Sequence, residues 1–185
     1  ELFETGLDSE DIYAYHGTTI EAIEYLAKHG HLPSGIYGSE VFYAHLDDQH
    51  TEEEQLDHAE HYAWWNTWKY YVLEHLPFKP KDPEQFMYIF SDDDHYDAFI
   101  KEAKTHGVSE QTINKLVREA ERTRKGVIIT LSHRIKQDFQ EKADMDHDQR
   151  SIVTSGGLSL EYITGIEPLG QYEWSKLEKL QKELE

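Results

Sequence analysis

Four side chains of this sequence are of types that could do chemistry, and each stands in a compact motif: His16, Tyr43, Tyr62 and Glu161. His16 follows a short apolar run and precedes a glycine and the start of a helix. A glycine lets a ligand come close to the backbone, and a helix N-terminus favours negative charge. The pattern at His16 therefore suits a ligand that carries phosphate and ribose, and it equally suits a histidine that only completes a turn.

Three predicted strands and one long helix must position these four side chains. The prediction rests on the apolar or aromatic character of the strands and on the one-sided spacing of apolar residues in the helix. The elements are, in chain order, a strand at Ile12–Tyr15 that ends in a His-Gly turn, a strand at Val41–Ala44, a helix from Thr51 to about Leu76, and a strand at Leu160–Ile166.

Capping boxes mark the predicted starts of two helices. The pattern Thr18-x-x-Glu21 begins a first helix over about 19–29, and a second box beginning at Thr51 starts the long helix. Gly30 stands where the glycine that ends a helix is expected. The helix start therefore lies directly after His16 and its glycine.

The rest of the chain is predicted to mix short strands, helices and connections: a loop at 31–40, a strand at Phe86–Phe90, helices at about His95–Lys104 and Ser109–Arg124, a strand at Gly126–Ser132, a polar connection at 133–149, a strand at Ile152–Thr154 and a closing helix at 173–184. Strands and helices do not alternate regularly, and neither a G-x-G-x-x-G nor a Walker motif occurs. We therefore expect an α+β fold rather than a doubly wound parallel sheet.

Composition excludes several classes of function. The 185 residues contain no cysteine, which excludes disulfides, thiol nucleophiles and thiolate metal sites. The net charge of −19 argues against nucleic acid and anionic membrane as partners, because their binding depends on neutralising phosphate. No apolar run approaches the roughly 18 residues of a membrane span. We therefore expect a soluble protein, whose compartment, cytoplasmic or secreted, stays open. Since the chain begins at Glu1 rather than Met, we also expect it to be a fragment of a longer protein.

Two groups of metal-binding residue types lack the spacing of known metal motifs. His58 and His61 stand three residues apart, without the i, i+4 spacing and the glutamate of a zincin helix. The acidic run Asp92–Asp94 lacks the spacing and the glycine of an EF-hand loop. We interpret both groups as solvated surface and expect no metal site.

Taken in chain order, the four motifs resemble the H-Y-E signature of the diphtheria-toxin-like ADP-ribosyltransferases, a group that includes the poly(ADP-ribose) polymerases. The matching pieces are Tyr-His-Gly-Thr at 15–18, Phe-Tyr at 42–43, Ala-x-x-Tyr-Ala at 59–63 and Glu-Tyr-Ile at 161–163. The resemblance implies an ADP-ribosyltransferase fold, with two small packed β-sheets around an NAD cleft and flanking helices. The chain, 1–185, would be a single domain with a helical insertion at about 91–125.

The resemblance also implies roles for these residues, with NAD as co-substrate. Glu161 matches the glutamate that binds ribose and stabilises the oxocarbenium-like transition state when the nicotinamide–ribose bond breaks. Tyr43 and Tyr62 match the pair that stacks on nicotinamide, and His16 matches the histidine that holds the adenosine ribose. Catalysis would thus depend on Glu161, His16 and Tyr43.

Gly17 and Thr18 match the segment whose backbone reads the nicotinamide amide. Ordinary core packing stays an alternative for Tyr62, because other aromatic residues lie nearby on its helix. Ser159, two positions before Glu161, is neither Gln nor Glu, whereas the related R-S-E toxins generally carry one of these there. This difference is typical of the H-Y-E group.

The function implied by the resemblance is transfer of one ADP-ribose from NAD to an acceptor, expected to be a protein, in the manner of a bacterial toxin or effector. One alternative is an RNA 2′-phosphotransferase, a relative that also carries His-Gly-Thr but needs several basic residues to hold RNA. Another is a non-catalytic module that binds NAD or ADP-ribose. The charge of −19 and the presence of Glu161 argue against the first alternative, and the complete H-Y-E set argues against the second.

Overall fold

The computed structural model of the protein describes residues 12–33, 41–44, 51–82, 86, 93–139, 141–144, 149–153 and 157–184. Within the strands at 41–44, 141–144 and 149–153 it describes the path and pairing of the chain. The fold below refers to these residues.

The described residues form eight strands and six α-helices. The strands are β1 (Ala14–Thr18), β2 (His31–Leu32), β3 (Val41–Ala44), β4 (Val127–Leu131), β5 (Glu141–Asp144), β6 (Gln149–Val153), β7 (Leu158–Ser159) and β8 (Ile163–Pro168). The helices are α1 (Ile20–His29), α2 (Glu52–His75), α3 (Asp93–Thr105), α4 (Glu110–Thr123), α5 (Ile135–Asp138) and α6 (Gln171–Leu184). A short 3-10 helix at Leu160–Tyr162 leads into β8.

The strands form two three-stranded sheets, in the orders β1-β4-β8 and β3-β6-β5, and a two-residue pair of β2 with β7. All of these pairings are antiparallel. The expected α+β class with two small sheets is therefore confirmed at that level.

Helices cover both faces of the β1-β4-β8 sheet, which explains why all five residues of β4 are buried. On one face, Ile129 packs in a cluster with Ile23 of α1 and Leu177 of α6. On the other face, Ile128 packs with Tyr15 and with Ala59 of α2. The alternation of side chains along a strand sends neighbouring apolar residues to these two faces.

The helices α3 and α4 share a second hydrophobic cluster with the C-terminal half of α2. Its centre holds Trp68 and Val72 of α2, Phe99 of α3 and Ile113 of α4. The segment at about 91–125, expected to be an insertion, thus packs on the C-terminal half of α2, the helix that carries Tyr62.

The first strand differs from the prediction in a way that matters for the site. It was expected to end at Tyr15 before a His-Gly turn, but it runs from Ala14 to Thr18, and His16 and Gly17 pair with Ile129 and Ile128 of β4. The N-cap of α1 is accordingly Thr19, whose hydroxyl accepts a hydrogen bond from the Ala22 backbone N–H. The predicted capping box at Thr18 is wrong because Thr18 still belongs to the ladder, opposite Val127.

Other helix signals are confirmed. Gly30 ends α1 with φ of 80°, and its N–H donates to the Leu26 carbonyl. The capping box at Thr51 is present in full, with reciprocal hydrogen bonds between Thr51 and Glu54. The predicted closing helix and the two helices after residue 91 are confirmed to within two residues at each end.

Several predicted segments differ from the structure. The 31–40 loop contains β2, and the polar connection at 133–149 contains α5, β5 and the start of β6. Phe86, expected in a strand, is helical, and the remainder of that predicted strand lies outside the described residues. The strand expected over Leu160–Ile166 begins only at Ile163, because Leu160–Tyr162 forms the 3-10 helix.

Candidate functional site

Gly17 lies at the point where the long helix α2 crosses strand β1. A Cβ atom at residue 17 would overlap the Ala59 carbonyl oxygen and would lie 2.6 Å from the Ala63 backbone nitrogen. Only a residue without a side chain allows the helix and the strand to come this close. Ala59 and Ala63, one turn apart and fully buried, are the matching small residues on the helix.

A hydrogen bond fixes the N-terminal end of α2 on the same strand. The Tyr15 hydroxyl donates to Glu52 Oε1 at 2.6 Å, and the Tyr15 ring is 96% buried against Ala59 and Ile128. Burial, reinforced by the Glu52 carboxylate, raises the pKa of Tyr15 well above its usual range. Tyr15 thus stays protonated at neutral pH and keeps donating to Glu52.

His16 lies between Tyr15 and Gly17 and is therefore directed to the opposite face of the sheet from α2. Its neighbour two positions before, Ala14, packs on that face in the same cluster as Ile129, the partner of His16 across the ladder. His16 is half-buried.

The strand that carries His16 is at an edge of its sheet. Among the described strands β1 pairs with β4 alone, and β3, which belongs to the other sheet, approaches β1 to within 8 Å between Cα atoms without pairing. An edge strand presents backbone N–H and C=O groups to any ligand beside it. The region between β1 and β3 is thus the boundary between the two sheets.

Tyr62 lies on α2, next to the contact that this helix makes with β1. It is half-buried and directly precedes Ala63, one of the two alanines against Gly17. The His61 ring lies 6.0 Å from the Tyr62 ring in an edge-on orientation. Tyr62 is therefore neither a fully buried core residue nor a fully exposed one.

Tyr43 lies on β3, and the ladder gives its position. Ser151 of β6 is its partner, and Lys142 of β5 is in turn the partner of Ser151. Arg150, the next residue along β6, is opposite Ala44. The sequence analysis places Lys142 in the polar connection at 133–149. The pattern there gives no indication that a lysine lies level with Tyr43 across the sheet, two strands away.

Glu161 lies on the 3-10 helix before β8, and its carboxylate contacts Ser159 and Arg134. Its Oε1 accepts a hydrogen bond from the Ser159 hydroxyl at 3.1 Å, and its Oε2 is 3.3 Å from the Arg134 guanidinium. Both charged side chains are about half exposed. The next residue, Tyr162, donates to Asp138 at 2.7 Å, and this hydrogen bond raises the pKa of Tyr162.

The sheet order separates Glu161 from the β1 edge. Strand β8 is on the far side of β4 from β1, two strand spacings or about 9–10 Å away. Along the strands, His16 is level with Ile166, whereas Glu161 lies five residues before Ile166, beyond the Ala14 end of β1.

The structure therefore places most of the sequence-predicted site residues on β1 or on elements next to it, although His16 is directed away from α2, and it leaves one residue apart. His16, Gly17 and Thr18 share β1, Tyr62 lies on the helix that contacts Gly17, and the strand of Tyr43 adjoins β1. Glu161 is at the opposite edge of the β1-β4-β8 sheet.

Sequence reasoning missed the residues that hold the site together. Tyr15 was read as an apolar strand residue, although it ties β1 to Glu52 of α2. The alanines at 59 and 63 enter the sequence analysis only as part of the Ala-x-x-Tyr-Ala motif, whereas in the structure they are the contact for Gly17. A pair of alanines four residues apart on one helix is the signal that points to a close backbone approach.

Within the described ranges, no group of three or more histidine, aspartate or glutamate residues could hold a metal ion. No helix in the part of the chain that the structure describes is long and apolar enough to cross a membrane. Comparison with known protein families, curated proteins and solved structures finds no match to this chain.

Proposed function

We propose that the protein binds NAD along the edge of β1 and transfers one ADP-ribose from it to an acceptor, with a protein as the expected acceptor. The observation that carries the proposal is the position of His16-Gly17 on an edge strand, with the helix of Tyr62 packed on Gly17 and the strand of Tyr43 within 8 Å of β1 between Cα atoms. Tyr62 and Tyr43 are thus on elements next to the strand of His16, whose side chain is directed to the face of the sheet opposite α2.

The chemistry of NAD fits the groups at this boundary. Nicotinamide is a flat cationic ring before cleavage, and two tyrosine faces favour such a ring through stacking and cation–π attraction. Its amide needs a donor and an acceptor, which the backbone of an edge strand supplies. The imidazole of His16 offers hydrogen bonds to a ribose hydroxyl.

The transfer step breaks the bond between the nicotinamide nitrogen and C1′ of the ribose. Nicotinamide leaves with the bonding electrons, C1′ becomes oxocarbenium-like, and an acceptor atom bonds to C1′ and loses a proton. In this proposal the Glu161 carboxylate stabilises the cationic centre. That role requires the carboxylate to reach the ribose from the opposite edge of the sheet.

The position of Glu161 also favours a second candidate, a non-catalytic module that binds NAD or ADP-ribose. Ser159 and Arg134 already contact the two carboxylate oxygens of Glu161, one each. A module of this kind would use the β1 edge and the two tyrosines for binding and would need no carboxylate at the ribose.

One pair of measurements separates these functions. NAD binding is measured by titration calorimetry, and nicotinamide release is measured under saturating NAD with cell lysate as the source of acceptor. Labelled NAD and mass spectrometry then identify the modified protein. Binding with release supports the transferase, and binding without release supports the module. Absence of binding would overturn both. Release that persists in EDTA is also expected, because no step in this proposal uses a metal.

A further inference from the structure

We infer that His29 and His31 form a binding site for a divalent transition-metal ion such as Zn²⁺ at the C-terminal end of α1. The segment His29-Gly30-His31 was not among the metal candidates weighed from the sequence. Its two imidazole ring centres lie 6.3 Å apart, on either side of Gly30, whose φ is 80°. This inference is independent of the proposed function.

Three aromatic rings form a compact group at this end of the helix. Ring centres are 4.2 Å apart for Tyr25 and His29, 5.5 Å for Tyr25 and His31, and 6.3 Å for the two histidines. Tyr25 is 38% exposed, His29 is exposed and His31 is half-buried. Tyr25 therefore contacts both imidazoles, and His31 also lies against Gly157, where an added Cβ would be 3.0 Å from its Cδ2.

The hydrogen bonding of His31 fixes which of its nitrogens can bind a metal. Its Nδ1 lies 3.2 Å from the His29 carbonyl oxygen. A carbonyl only accepts, so Nδ1 carries the proton and donates it, which leaves the lone pair on Nε2. A backbone carbonyl bonded to the second ring nitrogen is the usual support of a metal-binding histidine.

The distance between the two rings fits a shared ion after a small adjustment. With zinc–nitrogen bonds of about 2.0–2.1 Å, two imidazoles on a tetrahedral ion have centres about 5 Å apart. The observed 6.3 Å is about 1 Å longer. The exposed His29 side chain can close this gap by a small rotation, whereas the His31 ring is held by its hydrogen bond to the His29 carbonyl.

Electrostatics at this position also favours a cation. The negative end of the helix dipole lies at the C-terminus of α1, where a positive ion is stabilised. The net charge of −19 attracts cations to the whole protein. Two neutral imidazoles with open positions for water suit zinc, nickel and copper, and they suit magnesium or calcium poorly.

The test is a titration of the apo protein with Zn²⁺, followed through the imidazole ring resonances by NMR. We expect the His29 and His31 signals to shift together and to saturate together. His31→Gln and His29→Gln should each weaken zinc binding at least tenfold. All three forms should show the same circular dichroism spectrum, since His29 is exposed and His31 is only half-buried.

His75→Gln is the matched control variant. His75 is also exposed, its Nδ1 also lies near a backbone carbonyl, that of Tyr71, at 2.8 Å, and its ring also stacks on a tyrosine. It has no second imidazole within the ring contacts of the described residues. His75→Gln should therefore bind zinc as the wild type does. Equal zinc affinity in the wild type and in His31→Gln would overturn the inference.

Discussion

Gly17 and Ala59 are in direct backbone contact, strand against helix, and this contact fixes where Tyr62 lies relative to His16. The Ala63 nitrogen, one turn further along α2, would lie 2.6 Å from any Cβ at residue 17. Neither neighbour is a flexible side-chain end that could give way. The position of α2 on β1 thus depends on residue 17 being a glycine.

Gly17→Ala should therefore destabilise the fold strongly. We expect a loss of at least about 2 kcal/mol in the free energy of unfolding, because α2 must move off the strand to admit the methyl group. Urea unfolding monitored by circular dichroism measures the loss. Since the helix carries Tyr62, NAD affinity should fall in the same variant.

Gly30→Ala is the control for this substitution. Gly30 has φ of 80° but no atom within 4 Å of an added Cβ, so the cost is the backbone strain alone, about 1 kcal/mol. If Gly17→Ala proved as stable as Gly30→Ala, the close approach of α2 and β1 would be disproved.

The Tyr15–Glu52 hydrogen bond should make stability depend on alkaline pH. Because the pKa of Tyr15 is raised in the folded state, the unfolded chain loses this proton first, near pH 10. The contribution of Tyr15 is thus complete below about pH 10 and is lost as the pH rises above it. Burial raises the pKa of Tyr70 and of Tyr96 to about 12, which adds to the same trend.

Tyr15→Phe should lower the free energy of unfolding by about 1.5–3 kcal/mol at pH 8, the range for a hydrogen bond to a charged group. It should also make the loss of stability between pH 9 and 11 less steep than in the wild type. Tyr25→Phe, at a tyrosine that is 38% exposed, is the control and should change neither quantity. An unchanged pH dependence in Tyr15→Phe would show that Tyr15 does not contribute to it.

Tyr62→Ala should weaken NAD binding. Loss of one stacking face corresponds to about 1–3 kcal/mol, or roughly 5- to 150-fold in Kd, measured by calorimetry. The same range is expected for Tyr43→Ala. Tyr25→Ala, on a different helix, serves as the control and should bind NAD normally. Normal binding by Tyr62→Ala would identify Tyr62 as a packing residue only.

Glu161→Gln separates the transferase from the binding module. A carboxylate that stabilises the oxocarbenium-like centre acts mainly in the transition state, so nicotinamide release should fall about 10²-fold or more while NAD affinity stays near that of the wild type. Arg134→Ala is the informative control, because it removes the ion-pair partner and leaves the carboxylate in place.

Both variants should change stability by no more than about 1 kcal/mol, since the Glu161–Arg134 pair is half exposed. Equal rates of nicotinamide release in Glu161→Gln and the wild type would show that Glu161 is not the catalytic carboxylate. A similar fall in both variants would instead indicate that the turn at Leu160–Tyr162 matters as a structural unit.

Local signals in the sequence predicted the helices because their ends are set by neighbouring residues. The Thr51 capping box and the Gly30 stop involve contacts within four residues, and both are present in the structure. The α+β class followed in the same way, from the lengths and order of apolar segments. For His16, Gly17 and Thr18 the local signals predicted a turn and a helix start, which is wrong because all three lie on β1.

Tertiary structure alone decided where strands begin, which strands pair and which motifs meet. Pairing with Val127–Ile129 extends β1 through Thr18, although the His-Gly sequence suggested a turn. The sheet order sets Glu161 apart from His16. This order could not be predicted, because hydrogen bonding between distant segments leaves no pattern within either segment. The sequence by itself thus determined the local elements and the types of the candidate residues. Their distances were decided by long-range pairing and by the packing of α2 on Gly17.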